Sequence, residues 1–154
     1  MVSSNPQMYD SHGREHNYLR ISITEHCNLR CTYCMPAEGI ALTPKSNLMT
    51  ADEIVTIAQT FVHLGVTKIR LTGGEPLVRK DAATIIQRLG KLGVELTLTT
   101  NGILVHDFID TFKEAGIKAL NVSIDSLQKE KYTTITRRNY FEKLWENLDL
   151  LCQN

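Results

Sequence analysis

The sequence lacks an excess of charge of either sign. Lysine and arginine together number 17, aspartate and glutamate also number 17, and the formal net charge at pH 7 is zero. A chain without a strong field of one sign is not suited to general binding of nucleic acid or of a membrane surface. We therefore expect no nucleic-acid partner and no membrane partner.

Long apolar runs are also missing. A membrane-spanning helix needs about 20 consecutive apolar residues, and no stretch of this sequence approaches that length. Residues 1–17 are polar, contain few arginines and lack the apolar centre of a signal peptide. These absences predict a cytoplasmic protein with a polar leader over residues 1–17.

Cysteine is scarce, but three of the four cysteines lie close together. Cys27, Cys31 and Cys34 are separated by three and then by two residues, directly after the first predicted strand. In a reducing compartment, clustered thiols serve metals or redox chemistry more often than disulfides. Three cysteines can bind three irons of a cubane cluster and leave the fourth iron open for chemistry.

The same cysteines have simpler interpretations. A partial zinc site would need a fourth ligand, for which His26 is available only in an awkward geometry. Cys31 and Cys34 alone could form a thioredoxin-type pair, although an isolated pair of this spacing is a weak signal. The three-cysteine spacing directly after a strand favours the iron–sulfur cluster.

A repeating order of strand, loop and helix runs along the chain. Strands are predicted over residues 18–24, 68–72, 95–100 and 119–124. Helices are predicted to begin at Thr50 and near residues 81 and 140, with a further helix around residues 108–112. This alternation, with about four strand–helix units, predicts an α/β fold in which parallel strands carry helices on the outside.

The predicted strands alternate between apolar and polar residues. A parallel strand that is buried on both faces reads instead as a continuous apolar run. The apolar face of each strand must meet the helices, so the polar face should line the inside of a partly open barrel that holds a polar ligand. The polar face includes Arg20, Arg70, Thr99 and Ser123. An open sheet with one solvated face is the alternative.

A glycine pair follows the second strand, in the sequence Thr72-Gly73-Gly74-Glu75-Pro76. Glycine lets a backbone approach closely, so this loop is expected to present N–H and C=O groups to a ligand at the carboxyl end of the strand. A plain turn is the alternative, since paired glycines near a proline are common in turns.

Together these motifs resemble the radical S-adenosylmethionine superfamily. The segments around them, such as Cys-Met-Pro-Ala-Glu-Gly at 34–39, Thr-Thr-Asn-Gly at 99–102 and Asn-Val-Ser-Ile-Asp-Ser at 121–126, resemble the GTP 3′,8-cyclase family of molybdenum cofactor biosynthesis. The resemblance covers residues 18–154. It implies that the chain folds as a partial radical-SAM barrel. It also implies the activity of an enzyme that cyclises GTP to (8S)-3′,8-cyclo-7,8-dihydroguanosine 5′-triphosphate.

The resemblance also implies cofactors and residue roles. Cys27, Cys31 and Cys34 would bind a catalytic [4Fe–4S] cluster whose open iron chelates S-adenosylmethionine, which is then cleaved reductively. The residues implied for S-adenosylmethionine are Tyr33, Gly73, Gly74, Glu75 and Ser123, and those implied for GTP are Arg20, Arg70 and Thr99. A structural ion pair, with Glu75 or Asp125 as the acid, is the alternative for the two arginines.

The family pattern continues beyond this sequence. Members carry a second three-cysteine motif in a C-terminal region, so residues 18–154 are expected to be the N-terminal part of a radical-SAM core domain. Expected partners are GTP, a reductant protein for the cluster, and a second copy of the chain or a complementing C-terminal half. The alternatives are a non-catalytic iron–sulfur fragment that needs a partner chain, and a radical-SAM enzyme acting on another substrate.

Overall fold

The computed structural model describes residues 7–154, and residues 1–6 of the predicted leader lie outside the described part. Four strands form one parallel sheet in the order β1-β2-β3-β4. They are β1 (Tyr18–Ser22), β2 (Lys68–Thr72), β3 (Glu95–Thr100) and β4 (Leu120–Val122). The described helices are α1 (Ala51–His63), α2 (Ala82–Gly90), α3 (Ile109–Glu114), α4 (Lys129–Thr136) and α5 (Phe141–Gln153).

Helices α1, α2 and α3 connect successive parallel strands. This arrangement confirms the predicted α/β class with parallel strands and outer helices. The sheet is not closed, since within residues 7–154 strands β1 and β4 each pair with one neighbour only. None of the helices in this part of the chain has both the length and the apolar character that a bilayer crossing requires.

The core lies between the sheet and its helices, as the alternating strands predict. Ile69, Leu71 and Leu98 are fully buried on the apolar face of the sheet, where they pack with apolar residues of α1 and α2. The polar face is more open, with Arg20 exposed and Arg70 half-buried. Burial of a Leu or Ile side chain contributes about 1.5–3 kcal/mol, so these contacts hold the helices on one face of the sheet.

The start of α1 follows from its local sequence. The Thr50 hydroxyl accepts a hydrogen bond from the Glu53 N–H, while the Glu53 carboxylate accepts one from the Thr50 N–H. This capping box satisfies backbone donors that the first turn of a helix leaves without intrahelical partners. The cysteine-bearing segment therefore ends at a fixed point on α1.

Two strands are shorter than predicted, and one helix was not predicted. Strand β1 ends at Ser22 and β4 spans Leu120–Val122. Helix α4, with the sequence Lys-Glu-Lys-Tyr-Thr-Thr-Ile-Thr, was missed because it has only two large apolar residues and three threonines, which favour helices weakly. Its stability comes from contacts with the rest of the fold rather than from its own sequence.

Arg79 ties three segments of the chain together. Its guanidinium donates hydrogen bonds to the backbone oxygens of Ile23 at 2.7 Å and Met49 at 2.8 Å, and to the Asp81 carboxylate at 2.6 Å. The guanidinium holds the pKa of Asp81 below its usual value. Both ends of the segment between β1 and α1 are thus attached to the loop after β2.

We expect Arg79→Ala to lower the free energy of unfolding by about 1.5–3 kcal/mol, because it removes hydrogen bonds from a charged donor to buried carbonyl groups. Chemical denaturation monitored by circular dichroism measures this loss. The exposed neighbour Lys80 provides the control, since Lys80→Ala should cost no more than about 0.5 kcal/mol. Equal losses in the two variants would contradict the tying role of Arg79.

Candidate functional site

Residues 25–36, here called the cysteine loop, leave the carboxyl end of the first strand. Cys27 and Cys31 are half-buried and Cys34 is exposed. The N–H groups of Cys34 and Met35 both donate to the Cys31 carbonyl, at 3.0 and 2.9 Å, which winds the second half of the loop into a turn. The loop thus presents its three thiols on one short segment.

The three thiols do not converge on one point. Within residues 7–154, no three His, Cys, Asp or Glu side chains are close enough to hold a single metal ion. A cubane cluster does not require such convergence, because each cysteine binds a different iron. A zinc site does require it.

The surroundings of Cys27 and Cys31 differ. The Cys27 sulfur accepts a hydrogen bond from the Leu29 N–H at 3.4 Å and lies 3.9 Å from the Asn101 amide nitrogen. The Cys31 thiol instead faces an oxygen of Asp125 at 3.9 Å. Burial raises the pKa of both thiols, so each is harder to deprotonate than a free thiol unless a bound cation supplies compensating charge.

The glycine pair packs against the start of the cysteine loop. The Gly74 N–H donates to the Thr24 carbonyl and the Glu75 N–H donates to the His26 carbonyl, both at 2.8 Å. A Cβ atom on Gly74 would lie 2.5 Å from the Glu25 carbonyl oxygen, and one on Gly73 would collide with the Thr24 oxygen. The expectation that this loop offers its N–H groups to a ligand is therefore wrong for Gly74 and Glu75, whose N–H groups bind the protein itself.

Glu75 is buried, with 1% of its surface exposed. Its carboxylate accepts hydrogen bonds from the N–H groups of Leu77 at 3.1 Å and Asn101 at 2.6 Å, and from the Thr100 hydroxyl at 2.8 Å. Burial raises the pKa of this carboxyl, while the three donors act in the opposite direction. Both oxygens are used inside the protein, so the geometry gives no support to a cofactor contact through the Glu75 side chain.

Asn101 connects Glu75 to the cysteine loop and was not identified from the sequence. Its amide oxygen accepts a hydrogen bond from the Ile103 N–H at 3.1 Å, so the amide nitrogen must face the other way, where it donates to Asn28 at 2.6 Å and faces the Cys27 sulfur. The sequence feature that could have identified Asn101 is its place in the Thr-Thr-Asn-Gly segment, at the carboxyl end of β3.

Helix α4 holds the cysteine loop from the other side. The N–H groups of Arg30 and Thr32 donate to carbonyls of the last turn of α4, at 3.0 and 2.8 Å. The Arg137 guanidinium donates to the Met35 carbonyl at 2.9 Å and to the Arg30 carbonyl at 3.2 Å. The Arg137 side chain thus holds the cysteine loop at two backbone positions.

Two tyrosines lie in the elements around Cys31: Tyr33 in the cysteine loop, and Tyr132 on α4, which contacts the loop. Tyr33 is exposed, and its hydroxyl donates to Asp125 at 2.7 Å, which raises the pKa of the phenol. Tyr132, on α4, is 1% exposed, and its hydroxyl is buried without a hydrogen-bond partner among the described residues. A buried polar atom without a partner is rare in native proteins and is a place where a bound group can supply the missing contact.

The two arginines assigned to GTP are neighbours on the polar face of the sheet. Arg20 of β1 lies opposite Arg70 of β2, and Arg70 lies opposite Thr97 of β3, to whose hydroxyl its Nε donates at 3.3 Å. The Arg70 guanidinium also lies 5.8 Å from the centre of the Tyr18 ring. Neither arginine forms an ion pair with an acid in the described part of the chain, and Glu75 and Asp125 have the other partners described above. The structural ion pair is therefore not the explanation for this pair.

The other two residues of the polar face are close to the far edge of the sheet. Thr99 of β3 lies opposite Asn121 of β4, and Ser123 follows β4, with its N–H donating to the Thr100 carbonyl at 2.9 Å. Thr99 is half-buried and Ser123 is exposed. Ser123 lies beyond the end of β4, outside the strand register, so the assignment of both residues to the site stays a prediction.

Comparison with known proteins identifies the family. Residues 21–154 match the radical SAM superfamily, and the chain belongs to it. The chain is 52% identical over 141 residues to molybdenum cofactor biosynthesis protein 1 of Mus musculus, covering 90% of this chain and 22% of that protein. It is 46% identical over 143 residues to the GTP 3′,8-cyclase of Moorella thermoacetica, covering 92% of this chain and 44% of that protein.

Solved structures agree on the fold. The crystal structure of Streptococcus suis SuiB bound to its precursor peptide SuiA matches 85% of this chain and 29% of that chain, with a TM-score of 0.70 at 19% sequence identity. The present chain spans less than half the length of the relatives named above. The superfamily uses a [4Fe–4S] cluster and S-adenosylmethionine, and the three-thiol loop with its unpartnered tyrosine hydroxyl fits such a cluster.

We expect Gly74→Ala to reduce cluster loading strongly, because the added methyl group would push the start of the cysteine loop away from β2. Iron and sulfide content after anaerobic reconstitution measures the loading. The control is Gly93→Ala, where a φ of +72° strains the backbone but nothing lies within 4 Å of the added atom. That variant should lose about 1 kcal/mol of stability and keep its cluster. Normal loading of Gly74→Ala would contradict the packing role.

Proposed function

We propose that this chain supplies the catalytic part of an enzyme that cyclises GTP by radical chemistry in molybdenum cofactor biosynthesis. The observation that carries the proposal is the arrangement of a three-cysteine loop at the end of β1 beside two adjacent, unpaired arginines on the same sheet. Identities of 46–52% to proteins named for this pathway and reaction support it.

In this proposal Cys27, Cys31 and Cys34 hold the [4Fe–4S] cluster. When bound, the cluster and S-adenosylmethionine supply the reductive carbon–sulfur cleavage that starts radical chemistry. The chain's own residues position and enclose them: the glycine pair fixes the start of the loop, and α4 fixes its middle. The space for S-adenosylmethionine is bordered by Tyr33, Gly73, Gly74 and Ser123. Glu75 contributes indirectly, because it holds Asn101 in position.

Arg20 and Arg70 bind the triphosphate of GTP in this proposal, with Thr99 as a further contact. Two like charges directly opposite each other on paired strands repel. A polyphosphate relieves this repulsion, and its oxygens match the planar donor fork of a guanidinium. Arg70 keeps both Nη groups without a hydrogen bond to any described residue, while its Nε is anchored on Thr97.

Residues 18–154 form the N-terminal part of the core domain in this proposal. The relatives extend well beyond the matched region, so we propose that further residues, in the same polypeptide or in a partner chain, complete the substrate site. The electron for the cluster comes from a reductant protein. We propose a cytoplasmic location.

The proposal is tested by anaerobic reconstitution of the chain with iron and sulfide, followed by electron paramagnetic resonance of the reduced protein. We expect a cubane signal that shifts on addition of S-adenosylmethionine and formation of 5′-deoxyadenosine, with consumption of GTP once the residues that complete the substrate site are present. Cys31→Ala should abolish the signal. Cleavage of S-adenosylmethionine without any GTP binding would favour another substrate or a fragment that needs a partner chain. Failure to assemble a cluster would contradict the proposal altogether.

In a full-length protein that includes the residues completing the substrate site, we expect Arg70→Ala to weaken GTP binding roughly 10- to 100-fold, the value of a lost charge-assisted contact, and to leave cleavage of S-adenosylmethionine largely intact. Titration calorimetry with GTP and chromatographic assay of 5′-deoxyadenosine measure the two effects. Arg88→Ala is the control, because Arg88 is paired with Asp52 on the helical side. Equal loss of both activities in Arg70→Ala would show that Arg70 is structural.

A further inference from the structure

The hydroxyl of Tyr132 is the only buried side-chain nitrogen or oxygen without a hydrogen-bond partner in residues 7–154. The ring is well placed in an apolar cluster with Ile103 and Leu144, and it meets Phe141 edge-on at 5.6 Å. Packing therefore explains why an aromatic ring occupies this position but not why the ring carries a hydroxyl group. A phenylalanine would fill the same space without the cost of burying an unsatisfied hydroxyl.

The position of Tyr132 on α4 brings it to the cysteine loop. Ile135 and Thr136 lie three and four residues further on, so they share a face of the helix with Tyr132. Their carbonyls accept hydrogen bonds from Thr32 and Arg30, the residues on either side of Cys31. Tyr132 is thus one helical turn away from the two bonds that bracket Cys31.

The nearby acid is already occupied. One oxygen of Asp125 accepts from the Tyr33 hydroxyl and the other faces the Cys31 thiol. The Tyr132 hydroxyl has no acceptor among the described residues, so its proton is available to an acceptor that is not part of the chain.

We propose that the Tyr132 hydroxyl donates its hydrogen bond to sulfur of the cluster at Cys31, either the cysteine sulfur or an adjacent sulfide. The inference rests on the proposed function, in that Cys27, Cys31 and Cys34 hold the cluster. Hydrogen bonds to cluster sulfur are among the factors that set its reduction potential. A donor at this point stabilises the reduced, more negative cluster and so makes it easier to reduce.

Tyr132→Phe tests the proposal, because it removes one oxygen and keeps the ring. In the cluster-free protein the variant should melt roughly 2–4 °C higher than the wild type, since a buried unsatisfied hydroxyl is gone. In the reconstituted protein the same variant should show a reduction potential shifted to a more negative value, measured by a redox titration followed by electron paramagnetic resonance. Tyr9→Phe, which removes an exposed hydroxyl, should change neither quantity.

The outcomes separate this proposal from the proposed function. A wild-type chain that assembles no cluster overturns both. A wild-type chain that loads its cluster normally, together with a Tyr132→Phe variant of identical potential, overturns the role of Tyr132 alone. Lower stability of the cluster-free variant also overturns it, because the hydroxyl would then have a partner within the protein itself.

Discussion

The backbone contact between the glycine pair and the start of the cysteine loop is the constraint on which the site depends. Gly74 and Glu75 donate to carbonyls at residues 24 and 26, and no side chain at Gly73 or Gly74 would fit between the two segments. The contact fixes the loop against β2 as it leaves β1. Asn101 and α4 contact the cysteine loop further along. They can do so only because the start of the loop is held against β2. The glycines therefore act first on the protein, and any contact that they make with a cofactor is built on that packing.

Glu75 extends this constraint to the third strand. A buried carboxylate is costly unless its oxygens are hydrogen-bonded, and here donors from the loops after β2 and β3 satisfy it. Because one of these donors is the Asn101 N–H, the position of the Asn101 amide against Cys27 follows from the position of Glu75. The carboxylate thus helps to arrange the environment of Cys27 through the Asn101 amide.

Local patterns in the sequence predicted the parts of this structure that depend on neighbouring residues. Alternation along the strands identified the sheet and its buried face, and the Thr50–Glu53 pair identified the start of α1, because both are encoded within a few residues. Helix α4 and the contacts of Arg137 could not be predicted in the same way. Arg137 contacts carbonyls more than 100 positions earlier in the chain, and α4 is stabilised by that docking rather than by its own weak periodicity. The hydrogen bonds of Glu75 with Thr100 and Asn101 could not be predicted for the same reason, because these partners lie 25 and 26 positions further along the chain.

Polar side chains in the interior of the molecule have hydrogen-bond partners within the protein, whereas several at the proposed ligand site do not. Inside, Arg79 is matched by Asp81 and two carbonyls, and Glu75 by three donors. On the ligand side, Arg20 and Arg70 stand next to each other without an acid in the described residues, and the Tyr132 hydroxyl beside the cysteine loop has no partner. Tyr132 is the exception among the buried polar side chains of the described residues, and the two arginines place like charges side by side, so a bound group that completed both would stabilise the site. An anion on the arginines and a sulfur acceptor beside Tyr132 would complete them, and these are the two chemistries that a cluster-dependent enzyme acting on a nucleoside triphosphate brings together.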